Sequence, residues 1–155
     1  MRAASLVAAL LFLSACGVGE NIDRTRVGRE SIASSVRPLR GAEIRQDEIE
    51  RVDSGSAARA LLEFWRLAQL GQYELAAERV VPDLRQVYAA RLASLAPIYR
   101  TGRPSLRQEV DDGQVRRVEY FVEGPNSAPF FAATGFLWTE NKWVLVADSV
   151  IDAAR

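Results

Sequence analysis

The chain has 155 residues with 20 acidic and 20 basic side chains, one domain's length plus a short segment, and its zero net charge gives no reason to expect nucleic acid or another polyanion as partner. It has no His and a single Cys. Ser-His-Asp and Cys-His catalysis are therefore excluded, a structural zinc site lacks its ligand types, and an internal disulfide is impossible.

The first elements are an address. Arg2 is followed by an uncharged stretch from Ala3 to Leu13, too short to span a bilayer as a helix and the right length for the apolar core of an export signal. Leu13-Ser14-Ala15-Cys16 comes next and resembles the bacterial lipobox. That resemblance implies cleavage before Cys16, a diacylglyceryl group on its sulfur, and a cell-membrane or outer-membrane location on the exported side. Two or three acyl chains hold a protein stably at a membrane, where one chain is marginal. Residues 1–15 are thus expected to be a signal peptide and Cys16 the lipidation site.

Residues 16–54 are expected to form a tether. They hold no aromatic residue, and their apolar residues are scattered among charges of alternating sign. Such composition buries too little surface to offset the entropy of ordering. As a flexible coil the stretch reaches about 35 Å. Within it, Ala42 to Val52 allows a short charged helix, from the spacing of Ile44, Ile49 and Val52.

A folded domain is expected over residues 55–155. Ser54 or Ser56 caps a helix whose stripe is Ala57, Ala60, Leu61, Phe64 and Ala68, widened by Leu62 and Trp65, with Gly71 as terminator. A second helix is expected from Gln72 to Val81, stopped by Pro82, and a third from Leu84 to about Ala96, ended by Pro97. The period then changes to alternation. Leu106, Gln108 and Val110 precede the Asp112-Gly113 hairpin signal, and Val118, Tyr120 and Val122 alternate with Arg117, Glu119, Phe121 and Glu123. Phe130 to Thr139 and Trp143 to Ala147 are apolar on both faces, as strands covered twice would be. Helices first and strands after define an α+β class with an antiparallel sheet of about four strands.

Three helices followed by such a meander resemble the NTF2-like, cone-shaped fold. The Gly71, Tyr73, Ala76 spacing and the Asn141-Lys142-Trp143-Val144-Leu145 run resemble that family's helix turn and last strand. The resemblance covers the whole of residues 55–155 and rests on packing signals. It implies three helices packed on a curved sheet around a pocket, and a homodimer through the exposed sheet face. Enzymatic members use pocket His, Asp or Tyr residues. Without His, only a Tyr/carboxylate pair remains, drawn from Tyr73, Tyr88, Tyr99 and Tyr120 with Glu119, Glu123 and Asp148, as in an isomerase or dehydratase. No spacing pairs one of these Tyr with an acid, and Tyr88 and Tyr120 lie on apolar stripes.

The leading expectation is therefore a non-enzymatic, lipid-anchored domain that binds an envelope protein or a small apolar ligand, with the Tyr/carboxylate enzyme as the alternative. Phe121 stands among charges on its strand and is the aromatic least explained by a core. With Tyr120, Trp138 and Trp143 it makes up the candidate contact set. Neither Asp111-Asp112-Gly113 nor the acids Asp47, Glu48 and Glu50 has the alternating pattern of a calcium loop, and no glycine loop could cradle a phosphate, so no cofactor or metal is expected.

Overall fold

In the computed structural model, residues 41–153 are described. The expected signal, Cys16 and the first part of the expected tether lie outside them. The described residues form six α-helices, a short 3-10 turn and one four-stranded sheet.

The helix α1, Gln46–Glu50, is followed by α2, Ala57–Gln69. Ser56 caps α2 by accepting from the Arg59 amide at 3.1 Å, and Gly71 takes the left-handed backbone (φ 71°) that stops it. Its stripe of Leu61, Phe64, Trp65 and Ala68 is buried against the sheet. The expected second helix is cut to α3, Tyr73–Ala77. Val80 instead makes a parallel bridge to Leu145, with the Val81 amide donating to the Leu145 carbonyl at 2.9 Å. A β-branched pair that can join a sheet edge overrides a marginal helix end. After the 3-10 turn Pro82–Leu84 comes α4, Arg85–Ser94. Pro97 does not end the helical region. It sits in the first turn of α5, Ala96–Thr101, where its fixed φ and missing N–H are tolerated.

The strands are β1, Arg103–Asp112; β2, Val115–Gly124; β3, Ser127–Thr139; and β4, Lys142–Asp148, ordered β1-β2-β3-β4 and antiparallel throughout. Asp111 accepts from the Gly113 amide at 3.0 Å, and Gly113 has φ +82°, so Asp111-Asp112-Gly113 is a hairpin turn. Register irregularities fall at Leu106/Gln108, Val122/Gly124 and Gly135/Phe136. Bulges of this kind bend and twist a sheet. A last helix, α6, Ser149–Asp152, was not expected from the sequence. Thus the α+β class and the antiparallel four-strand meander hold, while six α-helices stand where three were expected. None of the described helices is long and apolar enough to cross a membrane.

Val118, Tyr120 and Val122 of β2 face the helices, and with them Ala132, Thr134 and Phe136 of β3. Trp65 is the hub of this core. Its ring lies 4.6 Å from Tyr99 and 5.7 Å from Tyr120, and its Nε1–H donates to the Gly102 carbonyl at 3.3 Å.

The expected tether is corrected at its far end. Ala42, Ile44 and Ile49 are buried in the same core, so the folded unit already includes them. Composition hid this because two isoleucines suffice once α2 offers a surface. Gln69, buried on α2, accepts the Ile44 amide at 3.0 Å and donates to the Ala42 carbonyl at 2.7 Å. Replacing Ile49 with Ala is expected to lower unfolding free energy by about 2–3 kcal/mol in urea titration, the range for a buried aliphatic deletion. A free tether would give no change.

Candidate functional site

Three places combine polar and aromatic chemistry. The first is buried at the join of β2, β3 and α6. Asp148, the last residue of β4, caps α6. Its Oδ1 accepts the Val150 and Ile151 amides at 2.9 and 3.0 Å. Its Oδ2 accepts the Thr134 hydroxyl at 2.6 Å and the Tyr120 hydroxyl at 3.4 Å. The structure thus brings together a Tyr and an acid that no sequence spacing had paired. Tyr120, Thr134 and Asp148 are fully buried. Tyr99 is buried nearby, and its hydroxyl has no hydrogen-bond partner among the described residues.

Burial raises the Asp148 carboxyl above its ordinary 3.8, opposed by the Thr134, Ile151 and Val150 hydrogen bonds. Burial, with Asp148 close by, pushes the Tyr120 and Tyr99 hydroxyls well above the phenol range. Chemically the cluster can hold a proton inside the core and fix α6 to β3. A substrate would reach it only after displacing packed side chains. Tyr88 lies further out, its hydroxyl 3.4 Å from Asp152 on α6.

The second place is at the β3–β4 hairpin. Trp138 and Trp143 are cross-strand partners with ring centroids 5.0 Å apart, edge to face. Trp143 is held by an Nε1–H bond to the Gly55 carbonyl at 2.7 Å, just before α2. Trp138 is 53% exposed. The Arg116 guanidinium lies over the Trp143 ring at 5.6 Å, and its terminal nitrogens reach Asp111 at 3.0 Å and Glu109 at 3.5 Å. Its Nε is buried with no partner among the described residues.

The third is the opposite end of the sheet, where Phe121 packs edge to face on Phe131 with centroids 5.9 Å apart. Of the four expected contact residues, Trp138 and Trp143 meet, Phe121 lies apart from them on the other sheet face, and Tyr120 is a core residue inaccessible to a partner. Sequence reasoning missed Arg116 and Thr134. Both share the inward face of their strands, Arg116 two residues before Val118 and Thr134 between Ala132 and Phe136, and a polar residue in such a stripe was the available signal.

An open cleft of about 460 Å³ lies between α1 and the β1 edge, with Ile44, Leu62, Arg103, Leu106 and Glu123 in its walls. Arg103 is paired there with Glu48 at 2.7 Å. Among the described residues no group of His, Cys, Asp or Glu is placed to hold a metal. Comparison with protein-family models, curated proteins and solved structures finds no match to this chain.

The sign of the Asp148 effect is fixed. A carboxyl raised in the folded state favours folding below its unfolded pKa, and that contribution is lost as pH rises through its folded pKa. Asp148→Asn keeps an oxygen for the α6 amides and cannot ionise. Relative to this variant, the natural chain is expected to gain stability as pH falls from neutrality toward 3.8, read as urea midpoints. A pH-independent difference would mean that Asp148 ionises without penalty.

Proposed function

We propose that this chain is a lipid-anchored protein of a bacterial cell envelope, held at a cell or outer membrane through Cys16, whose α+β domain adopts an NTF2-like cone and binds a partner without catalysis. The cone reading is supported by helices packed on one face of the sheet and by three register irregularities of the kind that bend a sheet. The anchor reading is supported by the lipobox alone, since Cys16 lies outside the described residues.

The single observation that carries the binding reading is the Trp138, Trp143 and Arg116 corner. An exposed Trp braced by a second Trp and an Arg is the composition of energetic centres in protein interfaces. A protein surface fits this open corner better than a small apolar ligand, for which the cleft beside α1 is the alternative place. Its walls mix apolar and charged side chains.

The competing reading, a small-molecule enzyme of isomerase or dehydratase type, would use Tyr120 and Asp148, which stand 3.4 Å apart. It requires the core to open, because both are fully buried.

One experiment addresses anchor and binding together. The full chain is expressed in bacterial cells with photo-reactive benzoylphenylalanine in place of Trp138, and the purified product is analysed by mass spectrometry. A mature terminus at acylated Cys16 and a discrete crosslinked protein are expected. Arg116→Ala should lower the crosslink yield about fivefold or more, as loss of an interface anchor would. An unmodified Cys16 thiol or a terminus elsewhere contradicts the anchor. A crosslink no stronger than from Val87, 46% exposed, contradicts the binding corner.

A further inference from the structure

The two aromatic clusters differ in kind. At the β3–β4 end the Trp pair is on the helix side of the sheet. At the β2–β3 hairpin the apolar surface is on both sides. Phe130 and Leu106, opposite Val122 and Tyr120, face the helix side and are 41% and 39% exposed. Phe131 and Phe121 face the other side and are 50% and 37% exposed. All five residues from Ser127 to Phe131 are exposed. This stretch pairs only with β2, because β4 joins β3 from Thr134 onward.

A docked protein covers one face of a sheet or extends its edge. An added strand here would meet Pro129, which has no N–H to donate. Apolar surface wrapped around both faces of a hairpin end suits a bilayer, which closes around whatever enters it.

The path of the chain points the same way. Gln69 Nε2 donates to the carbonyls of both Ala42 and Gly102, at 2.7 and 3.1 Å. Gly102 lies so close to Val122 that an added Cβ would stand 2.8 Å from its Cγ1. Ile44, Pro104, Leu106 and Glu123 line one cleft. The chain therefore enters the fold at the end that carries the β2–β3 hairpin. Twenty-five residues separate Cys16 from Ala42. The chain that precedes the domain therefore joins it at this end, and not at the Trp end.

We propose that the β2–β3 end of the sheet seats in the phospholipid bilayer, with Phe121, Phe130, Phe131 and Leu106 entering the boundary between headgroups and acyl chains. The orientation rests on the lipid-anchor reading. The seated surface itself rests on the exposed side chains. The Trp138 corner then faces away from the membrane. Seven residues along β3 from Phe131 to Trp138 set the two clusters about 23 Å apart at the rise of a strand.

The test replaces the acyl anchor so that it does not depend on Cys16. The chain from Gly17, which contains the whole folded core and no Cys, is given an amino-terminal hexahistidine tag. It is held on vesicles of phosphatidylethanolamine and phosphatidylglycerol containing a nickel-chelating lipid. An environment-sensitive fluorophore is placed on Ala128→Cys or, at the far end, on Lys142→Cys. The Ala128 label is expected to shift to the blue and to lose about half its intensity to nitroxide lipids, as insertion to the headgroup boundary requires. The Lys142 label should remain as in water. Adding the double change Phe130→Ser and Phe131→Ser should abolish the Ala128 response with the protein still vesicle-bound. A water-like Ala128 label on bound protein overturns the proposal. So does a blue shift that grows with protein concentration without vesicles, which would assign the surface to a second copy of the chain. Acylation of Cys16 is read separately by mass, so either reading can fail alone.

Discussion

The point at which the chain enters this domain is set by one buried amide. Gln69 sits on the apolar face of α2, and its side chain satisfies three backbone groups, the Ile44 amide and the Ala42 and Gly102 carbonyls. Every polar atom it brings into the core is thereby used, as burial demands. The same three bonds clamp the entering chain onto the end of α2 and onto the α5–β1 junction. They act with the burial of Ile44 and Ile49 and with the Arg103–Glu48 pair to fix where the chain enters the fold.

With that clamp in place, the two sheet ends acquire different surroundings. Trp65 packs α2 against Tyr99 and Tyr120, and this fixes the helix layer over the middle of the sheet. Asp148 fastens α6 to β3 below it. What the helices leave uncovered is the Phe surface near the entry point and the Trp corner at the far end. The buried Tyr120–Asp148 pair has the residue types of a catalytic pair, yet all of the hydrogen bonds to its carboxylate are structural. It caps a helix and joins strands, and its proximity follows from the Thr134–Asp148 register.

Periodicity in the sequence carried much of this. The α2 stripe, the Asp112-Gly113 hairpin and the inward set of Val118, Tyr120 and Val122 are where alternation and turn chemistry place them. The misses have common causes. The 42–52 segment holds the short helix that its spacing allows, but its place in the core is not legible because that burial depends on the surface of α2. The second helix ended early because Val80 found a strand edge, a long-range event that local propensity does not record. Pro97 opens a helix where a stop is expected, because the same residue type both ends and begins helices. Gln69 itself was legible in principle, lying four residues after Trp65 on a buried face, where a long polar side chain needs an explanation. The pairing of Tyr120 with Asp148 could not be read, since it depends on two registers across three strands.

Gln69 fixes the chain to the core from Ala42 onward, and the most direct test is hydrogen exchange at the Ile44 amide. That amide is expected to exchange at least about a hundredfold more slowly than in an unstructured peptide, and Gln69→Ala should remove the protection while the β2 and β3 amides keep theirs. Exchange of the Ile44 amide at the unstructured rate in the natural chain would contradict the account.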